Sequence, residues 1–271
     1  MLLNNKYIVL ENIARGQFGE IVKVEYNDTY YAVKIGNKDV IKYEIEMYKK
    51  LKGVANISRL YDIFGYGDNY CMVLDYYSKT LYNVKEEQFL TSNYSINIIN
   101  YIKQLIVIIN GVHNKNIIHR DLKPSNICLN NNNTLFLIDF GISKIYKNGT
   151  IHNNETTTRG FLGSTNFSSL NAINLIEQSR RDDIESVIYI LLYMLLSNER
   201  YNDYDKLNSF EKKDILVIIA FCENMYNINT NMLNKLFNYI RRLKYNQQPN
   251  YEYILSLLST LITRLTDYPI N

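Results

Sequence analysis

The sequence predicts an α+β fold, with a small β-rich part followed by a larger helical part. Three observations carry this expectation. Up to residue 75 the apolar residues fall mostly in short β-prone runs around one helical stretch, beyond it they fall at helical spacing, and no segment repeats. Tyr7 to Ile13 and Ile21 to Tyr26 are β-prone runs on either side of a glycine-containing turn, and Thr29 to Ile35 follows after Asn27-Asp28. Residues 39–52 place Val40, Tyr43, Met47 and Leu51 on one helical face, with charges on the other. Two further strand candidates, Ile57 to Tyr66 and Tyr70 to Asp75, lead into Tyr76-Tyr77-Ser78, which reads as a hinge. Next, Ile98, Ile99, Ile102, Leu105, Ile106 and Ile109 form an apolar stripe that ends near Gly111. A second helix is expected from about Asp183 to Leu196, with others following to Leu261. The predicted organisation is one domain, 1–271, with a first lobe at 1–75, a hinge at 75–78 and a second lobe at 79–271.

Composition narrows the class. A chain of 271 residues, 46% hydrophobic, suits one large domain or two closely packed lobes. Its three cysteines, Cys71, Cys128 and Cys222, lie far apart with no C-x-x-C pair. That spacing fits neither a disulfide framework nor a zinc site and points to a reducing, intracellular setting, cytoplasmic or nuclear. The opening MLLNNKYIVL is too short an apolar stretch for a signal peptide. The run from Val187 to Leu196 is too short to cross a bilayer and reads as a buried helix. A net charge of +3 gives no argument for nucleic acid or membrane as partner.

The chemistry concentrates in HRDLKPSN, His119 to Asn126, followed by DFG, Asp139 to Gly141. Phosphoryl transfer asks little covalent help from a protein. It needs a hydroxyl, a γ-phosphate and a metal held in line, with charge neutralised around them. Asp121 is the candidate that accepts or orients the hydroxyl proton, and Lys123, two residues on, can reach the γ-phosphate. Asn126 and Asp139 are the candidate Mg²⁺ ligands. His119 reads as a packed structural residue. Upstream, Ala14-Arg15-Gly16-Gln17-Phe18-Gly19-Glu20-Ile21 suits a phosphate-covering glycine loop, with Ala14 where the first glycine of G-x-G-x-x-G would stand. YAVKI then places Lys34 on a strand, where it could contact the α- and β-phosphates if a carboxylate partners it. Glu44 is the first choice of partner, with Glu46 the alternative.

With these residues assembled, the chain resembles the protein kinase superfamily over nearly its whole length, and within it the casein kinase 1 group. EIEMYKKLKG (Glu44 to Gly53), GSTNFSSLN (Gly163 to Asn171), EQSRRDDIES (Glu177 to Ser186) and YIRRLKYNQQPNYEYI (Tyr239 to Ile254) carry the group likeness. The vaccinia-related kinases are the neighbouring branch, and a compact second lobe with AT-rich residue usage would suit a viral member. The resemblance implies a bilobal kinase fold, ATP and Mg²⁺ as cofactors, and transfer of the γ-phosphoryl group to Ser or Thr hydroxyls of protein substrates by a monomer. It implies that Leu74 is the gatekeeper behind the adenine, and that Asp75, Tyr76 and Tyr77 form the hinge that hydrogen-bonds it. Ile21, Ala32 and Cys128 would sandwich the ring. Asp183 would brace the catalytic loop, and it also reads as a helix N-cap.

Departures from the group pattern refine this. Ala14 should tighten or tilt the glycine loop. Asn166 stands where the group carries a basic residue for primed substrates, leaving Lys144 and Arg159 to supply part of that anion pocket. Only a mild preference for acidic or phosphorylated substrates is therefore expected. Thr156, Thr157 and Thr158 lie in the activation segment opposite Arg120, and read as ordinary loop rather than as phosphorylation sites. Two other classes stay open at this point. A pseudokinase would lack one of Lys34, Asp121, Asn126 or Asp139, all of which are present. A small-molecule kinase would lack GSTNFSSLN and SRRDD.

Overall fold

A computed structural model describes residues 1–16, 19–88, 94–208, 211–222 and 229–263. It turns the β-prone runs into a six-stranded antiparallel sheet of order β1-β2-β3-β4-β6-β5. The strands are β1 (Leu2–Leu3), β2 (Tyr7–Gly16), β3 (Gly19–Tyr26), β4 (Thr29–Asn37), β5 (Leu60–Tyr66) and β6 (Asn69–Asp75). Asn27 and Asp28 both take positive φ, +50° and +56°, and close the β3–β4 hairpin with Tyr26 opposite Thr29. Short polar side chains tolerate that left-handed pair, which matches the twist of the flanking strands. Alternation then sorts the faces: Val22, Val24, Val33, Ile35, Cys71 and Val73 form an outer cluster, whereas Met72 and Leu74 face the main core.

Helix α1 (Lys38–Lys50) follows β4 directly, with the Asn37 side chain accepting from the Asp39 N–H as its cap. Its buried face is Ile41, Glu44, Ile45, Met47 and Tyr48, not the expected stripe through Val40 and Tyr43. Tyr43 is 42% exposed and donates its hydroxyl to the Ser143 carbonyl at 2.7 Å. A tyrosine counted as apolar by periodicity was thus placed by its polar end.

Beyond the hinge come β7 (Lys79–Thr80), α2 (Leu81–Gln88) and α3 (Tyr94–Asn114), then β8 (Ile117–Ile118), β9 (Ile127–Leu129) and β10 (Leu135–Leu137). β10, β9 and β7 make a small sheet, and β8 pairs with β11 (Lys144–Ile145). β12 (Lys147–Asn148) and β13 (Ile151–His152) form a hairpin in the activation segment. The helices α4 (Leu170–Ile173), α5 (Arg180–Leu195), α6 (Asn198–Asp205), α7 (Ile215–Cys222), α8 (Thr230–Arg241) and α9 (Tyr251–Thr263) complete the second part.

Helix α3 does not stop at Gly111. A Cβ there would lie 2.8 Å from Val54 Cγ1, so the glycine allows a close approach to the segment after α1 rather than ending the helix. At 21 residues α3 is long and apolar enough to cross a membrane by length and composition. Its buried stripe instead packs against α5 and α9 in the main core. Helix α5 is buried all round, as expected of a central core helix. Its N-cap is Ser179, whose N–H donates to the Asp182 carboxylate at 2.7 Å, so Asp183 lies inside the helix rather than capping it.

Candidate active site

Between the sheet and the helices lies a cavity of about 470 Å³. Ile21, Ala32, Leu74, Cys128 and Ile138 form its apolar walls. Ala14, Gly16 and Gly19 lie over it, Asp75, Tyr76 and Tyr77 edge it, and Lys34, Glu44, Lys123, Asn126 and Asp139 gather at its polar end. Phe18 falls outside the described residues. Gly19 has φ +131°, and a Cβ there would sit 2.0 Å from the Ile35 carbonyl oxygen, so no larger residue fits. Ala14 is paired with Ile21 beside an irregularity in the strand register. Burial pushes the Cys128 thiol up to about 12, which suits a wall residue rather than a nucleophile. The Asp75 carboxylate is already engaged by the Arg59 N–H at 2.6 Å and the Tyr61 hydroxyl at 2.7 Å.

Lys34 is the centre of the polar end. Its Nζ lies 2.7 Å from Glu44 Oε2 and 2.8 Å from Asp139 Oδ1. Glu46, the alternative partner, is exposed and pairs with Lys49. Burial works against the Lys34 ammonium, but the two carboxylates outweigh it and raise its pKa. Burial likewise works to raise the Asp139 carboxyl, and Lys34 overcomes it, holding that carboxyl below its ordinary range. The arrangement is locked from behind. Glu44 Oε1 accepts the Phe140 N–H at 3.2 Å, the Asp139 N–H donates to the Tyr48 hydroxyl, and Phe140 packs edge-on against Tyr48.

The catalytic-loop candidates meet around Asp121. Its Oδ2 accepts Lys123 Nζ at 2.7 Å, and its Oδ1 accepts the Ser164 hydroxyl at 2.8 Å. Asn126 Nδ2 donates to the Asp121 carbonyl at 2.9 Å, which leaves the amide oxygen as the atom Asn126 can offer a cation. Arg120 and Asp139 both have positive φ, +69° and +65°, a costly conformation for non-glycine residues that the surroundings must impose. For Arg120 the imposing group is Asp183, whose carboxylate accepts the His119 and Arg120 N–H groups at 2.8 and 2.9 Å. Asp183 is held in turn by His113 Nε2 at 2.9 Å. His119 packs against Phe140 and bonds the Ile138 carbonyl at 3.0 Å, the structural place expected of it.

Ser164 was not anticipated from the sequence. Gly163 before it has φ +111°, and a Cβ would meet the Arg120 carbonyl at 2.8 Å, so this glycine brings the serine onto Asp121. The expected anion pocket also differs. Lys144 Nζ is taken by Glu177 Oε2 at 2.7 Å, and only the exposed Arg159 of that pair is left to face solvent. Thr158 is tied to Leu175, its N–H donating to that carbonyl at 2.7 Å.

A second, larger cavity of about 970 Å³ adjoins the first at Lys123 and Ser125. Tyr82, Glu86, Ser164, Asn166, Phe167, Tyr193 and Tyr201 help to line it. Beneath it the Lys85 ammonium is buried, donating to the Tyr193 carbonyl at 2.5 Å and lying 3.9 Å from the Tyr193 ring centroid. Burial lowers its pKa to about 8.

The residues at the polar end suit a magnesium nucleotide. A cation sits where phosphates would lie, an apolar slot leads away from it, and a glycine approaches that no side chain could replace. Among the described residues no cluster of three His, Cys, Asp or Glu side chains could hold a metal alone. Asn126 and Asp139 would therefore share the ion with phosphate oxygens. Comparison with known proteins agrees with this geometry. A family model described as the protein kinase domain matches residues 7–264. A probable casein kinase I homolog from Encephalitozoon cuniculi is 31% identical over 274 residues, covering 94% of this chain and 84% of the relative.

Proposed function

Because the chain belongs to the protein kinase family, as a casein kinase I-like serine/threonine kinase, we propose that it moves the γ-phosphoryl group of ATP onto Ser and Thr hydroxyls of protein substrates. The observation that carries this reading is the meeting of Lys34, Glu44 and Asp139 with Lys123 and Asn126 at the polar end of one cavity, with Asp121 bonded to the last two. ATP bound with Mg²⁺ supplies the phosphoryl group and the charge that neutralises it. The chain supplies position. Lys34 holds the α- and β-phosphates, and Glu44 keeps that ammonium aimed. Asn126 and Asp139 hold the metal. Asp121, oriented by Ser164 and Lys123, takes or aligns the proton of the attacking hydroxyl, and Lys123 steadies the γ-phosphate.

Ile21, Ala32, Leu74 and Cys128 enclose the adenine, with the 75–77 backbone as its hydrogen-bonding edge. Ala14, Gly16, Phe18 and Gly19 form the loop above the phosphates. The chain acts as one domain with lobes 1–75 and 79–271. Three buried free thiols support an intracellular setting. With Asn166 at the groove and Lys144 already paired, acidic or phosphorylated substrates gain only a mild preference. The test is transfer of labelled phosphate from ATP to casein or histone by the wild type beside Asp121→Asn. Signal from the wild type alone supports the reading. Equal background from both defeats it.

A further inference from the structure

Two charged side chains line the cavity of about 970 Å³, and only one of them is answered. Lys123 is committed to Asp121 at 2.7 Å. The other is Glu86, which is exposed and has no hydrogen bond or ion pair among the described residues. Its neighbours on α2 are both spent. Lys85 turns inward, 1% exposed, onto the Tyr193 carbonyl, and Glu87 pairs with Lys79. Of the two acids on this stretch of helix, the one left over is the one that faces the cavity.

Glu86 has an aromatic companion. Tyr82 stands four residues earlier on α2 and also lines the cavity, so ring and carboxylate lie side by side on one helical face. Tyr82 is 47% exposed and is backed by Tyr193, with ring centroids 6.3 Å apart and planes at 17°. Helix α6 contributes Tyr201 and Asn202 to the same space, and Tyr201 meets Tyr193 edge-on at 4.6 Å. The cavity starts at Lys123 and Ser164, the two side chains bonded to the Asp121 carboxylate. A hydroxyl presented to Asp121 therefore brings the adjoining residues of its own chain to the cavity mouth.

A carboxylate beside an aromatic face suits a cation on an apolar stem. The stem covers the ring, the charge meets the carboxylate, and the ring face adds its own attraction for the cation. Guanidinium fits better than ammonium, because it is planar, stacks on the ring and can bond both carboxylate oxygens. The net charge of +3 gives no general attraction for cationic peptides, so a gain from arginine has to come from a local site.

We propose that Tyr82 and Glu86 form a subsite for an arginine side chain close in sequence to the Ser or Thr that receives the phosphoryl group. The inference rests on the kinase reading and names a substrate class for it. The mild acidic preference argued above rests on Arg159, which does not line this cavity.

The test uses peptides with one Ser among Ala and Gly, in which arginine is moved through the three positions on either side. For each protein the readout is kcat/KM for the Arg peptide divided by that for the Ala parent, a ratio that cancels any loss common to both. At one position, or two adjacent ones, the wild-type ratio should reach about tenfold, the worth of one charge-assisted hydrogen bond. The gain should lie mainly in KM, since the contact is the same before and during transfer. Lysine should give less than arginine, and citrulline and norleucine should stay within about twofold of alanine. Glu86→Gln should bring the arginine ratio to within about twofold of unity, and Glu86→Arg should reverse it in favour of Asp at the same position. Tyr82→Ala should lower it about threefold, as expected of a cation on an exposed ring.

A flat arginine scan overturns the inference. So does norleucine matching arginine, which would make the slot merely apolar, or an arginine gain that survives Glu86→Gln. A wild type that transfers phosphate to no peptide and to neither casein nor histone defeats the kinase reading itself. Transfer with a flat scan defeats only this inference.

Discussion

The two cavities that meet at Lys123 and Ser125 treat buried charge in opposite ways. On the nucleotide side the buried lysine, Lys34, stands between two carboxylates. On the side proposed to meet the peptide the buried lysine, Lys85, rests on a carbonyl and the faces of Tyr193 and Tyr201, with no carboxylate bonded to it among the described residues. The first arrangement fixes positions, because neither carboxylate can move without leaving the cation uncompensated. The second fills space beneath an aromatic wall and holds its cation at an energetic disadvantage. Charge pairing therefore goes with the cavity proposed to meet phosphates, and aromatic packing with the neighbouring cavity, proposed to meet a protein chain.

The largest expected effect tests the paired side. Lys34→Met leaves Glu44 buried without its cation and should cost about 3–5 kcal/mol of stability along with the activity. Lys34→Met/Glu44→Leu should regain most of that stability and none of the activity. Urea unfolding of both variants decides it, and a Lys34→Met protein as stable as wild type breaks the comparison.

Lys85→Met should do the reverse and stabilise the protein by about 2 kcal/mol near pH 7. The unfolded chain protonates Lys85 near 10.5, the folded chain only at about 8. The folded state is thus penalised increasingly as pH falls from 10.5 to 8, and fully below that. Wild-type stability should carry a rising contribution with pH across this window that Lys85→Met lacks. Urea midpoints of the two proteins at several pH values within it make the check.

A third variant sharpens the peptide side. Asn166→Arg adds a cation to the groove and should raise the rate on a phosphoserine-primed peptide about tenfold, the worth of one charge-assisted hydrogen bond, with the unprimed rate unchanged. An equally large gain already shown by the wild type on primed peptide would mean that the groove has a phosphate site which its aromatic lining does not reveal.

The smallest effect concerns the brace the two sides share. His113 is buried between Asp183 and the Tyr251 hydroxyl, and burial lowers its pKa below 6.5. The unfolded state therefore takes up this proton first, and the folded state should lose stability as pH falls through and below 6.5. The loss is at most about 1.4 kcal/mol per pH unit, and His113→Asn should remove it from the melting-temperature profile.

What was legible in the sequence follows chain distance. His119 to Asn126 and Asp139 to Gly141 are contiguous, so their order alone named the chemistry, and Glu44 lies only one helix from Lys34. Ser164 reaches Asp121 across 43 residues and Lys85 reaches Tyr193 across 108, and no local pattern marks either contact. Polar ends of apolar-looking residues caused the other misses. Tyr43 left the predicted stripe for a carbonyl, and Tyr48, an unmarked helix residue, accepts the Asp139 N–H.

The close fit of Gly111 against Val54 has a mechanical meaning. The segment after α1 belongs to the first lobe by sequence, yet it is stitched to the second. The Leu137 N–H donates to the Asn56 carbonyl, Ser58 donates back to Leu137, and the Asn56 side chain reaches the Leu135 carbonyl at 2.7 Å. The C-terminal end of α1 is therefore moored to the larger lobe, while its Lys38 end continues directly from β4 of the sheet, so Glu44, midway along, joins Lys34 from a helix anchored to both.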